Sequence, residues 1–246
     1  MPDAAFLAIA GVVFFVGGFV KGAIGLGLPT VVMGLLSIMV APAQAAAVLV
    51  IPAIATNVWQ MLAGPAFFAL WRRLATMMLG VAVGTFATIG FITGAGAWTT
   101  AALGAVLALY GALGFVPARF HVRPQAERWA SPVVGLVNGA VSGATGVFVV
   151  PGVPYLDSLR MDRETLIQAI GIHAFTCPLI LALALLTRGE LSTGAAATGA
   201  AALLPALAGM YAGQRLRLRL DAVTFRRWFF AGLVGLGGYM AFRSLA

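Results

Sequence analysis

The sequence predicts an all-α polytopic membrane protein made of two inverted repeats, each a broken or re-entrant helical hairpin followed by three transmembrane spans. Three observations lead there. Hydrophobic residues make up 61% of the 246-residue chain and charged residues 9%. Soluble domains carry roughly 25% charged residues, so this chain has too little polar surface to cover a water-facing body. Apolar runs of about 18 residues or more, the length that crosses a hydrocarbon core, recur from end to end, and the mean hydropathy is +1.02. The third observation is that the two halves show the same order of breaks and spans, as inverted-repeat transporters do.

The first apolar region, Ala4 to Val40, contains Lys21 and is interrupted at "GLGLP". A chain broken there enters the membrane and returns. Further apolar segments run Gln44–Leu70, Leu74–Phe91 and Trp98–Val116, and "PARFHVRPQAERW" (Pro117–Trp129) is the first clearly polar stretch. In the second half, Ala130–Val150 leads into the proline-rich "PGVPYL", whose limb Pro154–Leu159 is too short to span. Segments Thr165–Thr187, Leu191–Tyr211 and Phe225–Phe242 follow. The expected organisation is a first repeat over 1–117, a cytoplasmic link over 118–129 and a second repeat over 130–246. The first segment has no basic region before it and no small-residue cleavage site after it, so it reads as part of the bundle and not as a signal peptide.

The halves also match in detail. "GFVKGAIGLG" (Gly18–Gly27) sets beside "GLVNGAVSGATG" (Gly135–Gly146), which places Lys21 against Asn138 and Gly22 against Gly139. "ATNVWQ" (Ala55–Gln60) sets beside "FTCPLI" (Phe175–Ile180). The basic links at Arg72–Arg73, Pro117–Trp129 and Gly213–Arg227 should face the cytoplasm and the uncharged Ile92–Ala97 should face outward. Each half then makes an odd number of crossings, which inverts the second half relative to the first.

The formal charge of +8 comes from arginines in these links, so no nucleic-acid partner is expected. The run "QRLRLRL" (Gln214–Leu220) reads as an interfacial anchor to phospholipid headgroups. All seven carboxylates fall in a terminus or a link, so the usual intramembrane site for cation binding or a proton relay is missing. Two separated histidines and one cysteine, Cys177, supply neither acid–base machinery nor a metal cluster. The chain therefore reads as neither an enzyme nor a cofactor or metal protein, and the cargo it points to is anionic or neutral.

Lys21 lies roughly 25 Å along a helix begun at Ala4. It is either a snorkelling interfacial lysine or an anion-attracting group beside the break. Gly22, Gly25 and Gly27, with Gly139, Ser142, Gly143 and Thr145, are either a close-packing face or part of a site. In the second case, freed backbone N–H groups at the start of a half-helix hold an oxyanion. Thr56, Asn57 and Gln60 in mid-segment, and Gln168, His173 and Thr176 in the matching segment, are either staples between helices or cavity lining. His173 is the residue to test for proton coupling, a plain structural histidine being the other reading. Cys177 reads as a small buried hydrophobe.

The chain resembles the TauE/SafE family of sulfite and organosulfonate exporters. The resemblance rests on "GFVKGAIGLGLPTVVMGLL", its counterpart "GLVNGAVSGATGVFVVP" and the later "DRETLIQAIG", and it covers essentially the whole chain. Its glycine runs are sparser than those of many members. The resemblance implies export of sulfite, a sulfonate or a related carboxylate across the bacterial inner membrane by a multi-pass protein. It also implies a site lined by Gly22, Gly25, Gly27, Gly139, Ser142 and Gly143. The partners expected are a small anionic solute and membrane phospholipids, with a homodimer as an option. The competing readings are a non-transporting membrane scaffold, with tightly packed glycine faces and no polar cavity, and a passive anion channel with a continuous pore.

Overall fold

The computed structural model describes residues 4–62, 64–94, 96–116, 121–217 and 221–245. Among them it has ten helices in chain order: α1 Ala4–Ile24, α2 Leu28–Leu36, α3 Pro42–Leu62, α4 Phe67–Thr93, α5 Ala97–Leu113, α6 Pro124–Thr145, α7 Gly152–Ser158, α8 Arg163–Thr187, α9 Thr193–Arg217 and α10 Ala222–Leu245. Five of these, α1, α3, α4, α8 and α9, are long and apolar enough to cross a bilayer, and α5 is a shorter apolar helix. The protein is thus an all-α, multi-span membrane protein. Its lipid-facing shell includes exposed Val12, Leu79, Val83 and Leu204.

The helices alternate in direction, and glycines set the closest approaches. On α1, a Cβ at Gly18 or Gly22 would strike the carbonyl oxygens of Ala206 or Met210 on α9. Gly209 and Gly213 face Phe15 and Phe19 in return. The residue numbers rise together, so the two helices run parallel. On α6, Gly135, Gly139 and Gly143 meet the backbone of Met77, Val81 and Thr85 on α4 in the same way. Small-xxx-small faces of this kind replace the hydrophobic drive that lipid cannot supply between helices. α5 and α10 run antiparallel, with Gly104 against Gly237 and Gly111 against Phe230. α3 and α8 are also antiparallel, joined at Gln60 and Ile167 and at Asn57 and Ala174.

One end of the bundle gathers the ends of α1, α3, α5, α7 and α9 and the starts of the helices that follow them. Ten of the twelve arginines among the described residues sit there, and only Arg188 and Arg243 lie at the other end. Arg73 on α4 donates to both carboxylate oxygens of Glu127 on α6, one at 2.7 Å. Trp59, Trp71, Trp129 and Trp228 are exposed at this end, as an interfacial aromatic belt would be. Asp162 caps α8 by accepting from the N–H groups of Glu164 and Thr165, and the hydrogen bonds from Thr165 hold its carboxyl below the usual range.

Several expected boundaries move. Arg72 and Arg73 are not a link but lie in the opening turns of α4, and the link is the short turn holding Gly64 and Pro65. Gln44–Leu70 is therefore two helices, because Pro65 cannot continue α3. Pro124 opens α6, so Pro124–Trp129 is helical and the polar link is shorter than expected. Of the Gln214–Leu220 run, Gln214–Arg217 belongs to α9 and 218–220 lie outside the described residues, as do 117–120. The first interruption falls at Gly25 (φ 84°) and Gly27 (φ 112°). Pro29 sits in the opening turn of α2, where its missing N–H costs nothing. The second falls after Thr145, at Gly146 (φ 74°). The chain then runs back through buried Val147–Val150 to α7.

The packing predicts unequal costs for one added methyl. Gly18→Ala should lower the thermal midpoint, since overpacking a fixed backbone costs about 1–3 kcal/mol. Gly11→Ala, with nothing within 4 Å of its Cβ, should leave the midpoint unchanged or raised. Thermal unfolding of the two purified variants decides the matter, and equal midpoints would refute this packing.

Candidate functional site

Lys21 occupies the last turn of α1, one turn before the break, and is only 7% exposed. Its Nζ donates to Thr56 Oγ1 at 3.0 Å and to Asn57 Oδ1 at 2.6 Å, both on α3. Thr56 passes its own hydrogen back along α3 to Pro52 O at 2.7 Å. The Asn57 amide donates to Ala53 O at 2.7 Å and across to Ala174 O on α8 at 3.0 Å. Among the described residues no carboxylate lies within ion-pair distance of Lys21, and Arg73–Glu127 is the one ion pair. An ammonium has three donors. Two are taken by neutral acceptors, and the third is left over.

A cavity of about 20 Å³, enough for one water-sized body, opens beside Lys21. Gly25, Gly27, Pro29, Asn57, Phe148 and His173 are among its walls. Both interruptions reach it: α1–α2 through Gly25 and Gly27, α6–α7 through Phe148 and Val149. The first N–H groups of α2 have no carbonyl one turn behind them, and the positive end of that helix faces the cavity through Gly27 and Pro29. Counted from Arg163, His173 is about 15 Å along α8, which puts the cavity within the membrane.

A larger cleft of about 280 Å³ lies toward the arginine-rich end, with Asp157, Arg226 and Tyr110 among its lining residues. It shares Leu26 and Val153 with the Lys21 cavity. These two apolar side chains stand between cleft and cavity.

The second interruption carries a different arrangement. Asn138 on α6 donates to Cys177 Sγ on α8 at 3.7 Å and accepts from Gly152 N–H at 2.9 Å. His173 Nε2 lies 3.0 Å from Phe148 O. A carbonyl only accepts, so Nε2 carries the hydrogen and Nδ1 is left to face Cys177 Sγ at 3.4 Å. A neutral imidazole satisfies both contacts, and no carboxylate stands by to favour the cation. Lys21 with Asn57 stands beside the first interruption, and Asn138 with Cys177 beside the second. The first pair has a donor to spare, and the second is closed on itself.

The remaining sequence candidates separate cleanly. Gly22, Gly139 and Gly143 lie in helix–helix contacts, away from the cavity. Gln60 donates to Ile167 O at 3.3 Å. Gln168 donates to Met61 O and Gly64 O and accepts from Ala66 N–H. Both glutamines tie α8 to the end of α3. Ser142, Gly143 and Thr145 are still helical, so "SGATG" offers no free backbone nest. Thr145 bonds Val141 O at 2.7 Å. Ser142 and Thr176 are buried with no hydrogen-bond partner. Leu26, Phe148, Val149 and Val153 were not singled out in the sequence. The only signal for them was position, Leu26 between two glycines and the others beside "PGVP".

Long apolar helices and two interrupted helices that meet at an interior cavity define a multi-span membrane protein of the transporter class. The chain belongs to the sulfite exporter TauE/SafE family, whose model matches residues 9–240. Neither a curated protein nor a solved structure matches the chain.

The hydrogen bonding around α7 gives a test. Asn138→Leu strands the buried Gly152 N–H, which should cost about 1–3 kcal/mol and lower the thermal midpoint. Ser142→Ala removes a hydroxyl that bonds nothing and should leave the midpoint at or above that of the parent. The reverse ranking would contradict the network.

Proposed function

We propose that the protein exports small sulfur oxyanions, sulfite or short sulfonates, across the bacterial inner membrane, and that Lys21 is the group that holds them. The observation that carries this is the buried Lys21 ammonium, satisfied by Thr56 and Asn57 alone, with its third donor beside a cavity. An oxyanion at that donor also meets the N-terminal end of α2. The site so read comprises Lys21, Gly25, Gly27, Thr56 and Asn57 from the first half and His173 from the second. Asn138, Ser142 and Thr176 stand behind it.

The repeat organisation, 1–117 and 130–246 about a cytoplasmic link, is part of the same proposal. Each half has the order long, short and three long helices. α1 packs on α9 as α6 packs on α4, and α3 packs on α8. α1 ends at the arginine-rich end while α6 begins there, which is the sense of an inverted repeat. The positive-inside rule makes that end cytoplasmic. The cleft beyond Leu26 and Val153 then faces the cytoplasm, with Arg226 at its mouth to attract anions. The cavity shares no lining residue with the pocket at the other end of the bundle. This favours a carrier working by alternating access over an open channel, and a buried ammonium with an interior cavity beside it favours transport over a scaffold.

Efflux of labelled sulfite from proteoliposomes is the test. Lys21→Met should cut efflux at least about tenfold, the worth of one charge-assisted hydrogen bond. Gln60→Ala, a staple at the helix end, should keep most of it. Parent-like efflux in Lys21→Met would sink the assignment.

A further inference from the structure

The end opposite the arginine-rich face holds a second pocket, of about 240 Å³, between the end of α2, the start of α5 and the end of α10. Ser37, Ile38, Thr100, Tyr239, Met240, Arg243 and Ser244 line it. We infer that this pocket is an oxyanion-headgroup site: Arg243 supplies the charge, Ser37 a buried hydroxyl donor, and Ile38 with Met240 apolar surface for an alkyl stem.

Three observations converge on it. Ser37 Oγ is buried, 7% exposed, and has no hydrogen-bond partner. A buried hydroxyl left unbonded costs free energy unless a ligand satisfies it. Arg243 has no ion pair among the described residues. It also stands at the end where arginine is scarce, against the trend that gathers cations at the opposite face. In addition, the lining is mixed: a guanidinium and the hydroxyl residues Ser37, Thr100 and Ser244 share it with Ile38 and the buried Met240. That is the complement of a charged head on a short hydrocarbon chain. The planar guanidinium suits a sulfonate or phosphate group, whose oxygens it can hold two at a time.

The pocket is distinct from the Lys21 cavity and does not depend on the transport reading. α2 nevertheless connects them. Its first residues border the Lys21 cavity and its C-cap, Ser37, borders this pocket. Nine residues of helix put the two roughly 13 Å apart. The headgroup has two sources, a free alkanesulfonate on the solute path or an anionic phospholipid of the surrounding leaflet, and the experiment separates them.

Calorimetric titration of the purified full chain in detergent with ethanesulfonate, on a Lys21→Met background, isolates the second pocket. If the source is the solute, binding persists in Lys21→Met. It then falls at least about tenfold on adding Arg243→Gln and several-fold on adding Ser37→Ala. The thermal midpoint of ligand-free Ser37→Ala is at or above the parent value, because no bond of the fold is removed and an unbonded buried hydroxyl is relieved. If the source is lipid, ethanesulfonate gives no signal, but native mass spectrometry of protein extracted with phosphatidylglycerol shows one retained lipid that Arg243→Gln releases. If neither ligand responds to Arg243→Gln or Ser37→Ala, the inference is overturned. Parent-like sulfite efflux in Lys21→Met with this binding intact would remove the transport assignment and leave the second pocket standing.

Discussion

A single ammonium held inside the bundle by two neutral acceptors constrains much of the surrounding architecture. Burying a cation is expensive, several kcal/mol even after relaxation, and here no carboxylate offsets the loss of water. Thr56 and Asn57 are themselves anchored to the α3 backbone, at Pro52 O and Ala53 O, so their oxygens cannot turn away from Lys21. Asn57 is further tied to Ala174 on α8. The α1 end, α3 and α8 are thereby fixed around one charge that still lacks its full complement of acceptors. In the transport role proposed above, that unfilled donor is the point at which an anion would be held.

The two interruptions behave differently. The first has lysine and asparagine beside it, the second asparagine and cysteine. Asn138 spends its amide on Cys177 and its carbonyl on Gly152, and His173 completes the circuit to Phe148. Those contacts hold the Phe148 and His173 side of the cavity in place. The first interruption keeps a free donor with glycines of positive φ beside it, which gives the cavity its charge. Close glycine contacts between α1 and α9 and between α4 and α6 hold both hairpins against the spans of the opposite half.

Much of this was legible in the sequence because the signals are physical and local. Apolar length gave the spans, glycine clusters in otherwise apolar runs gave the interruptions, and the absence of carboxylates from the spans singled out Lys21. The glycines could not be sorted from sequence alone. Gly22 and Gly25 are three apart, but one lies against Met210 and the other bends the chain, a difference that depends on which helix arrives beside them. Pro29 looked like the breaker, yet a proline in an opening turn is tolerated. Gly25 and Gly27 make the turn instead. Cys177 read as a small hydrophobe, and its place between Asn138 and His173 emerges only when α6 and α8 are adjacent. Leu26 and Val153 carry no chemical signature, so only the three-dimensional path between cleft and cavity marks them.

The most direct test is to locate the anion itself. Selenite scatters anomalously and has the shape and charge of sulfite, so a crystal structure of the protein with selenite at the selenium edge would show where the oxyanion rests. A peak with an oxygen about 2.7–3.2 Å from Lys21 Nζ, between the α2 N-terminus and Asn57, is the predicted result. An occupied selenite site elsewhere in the bundle, with the Lys21 cavity empty, would contradict it.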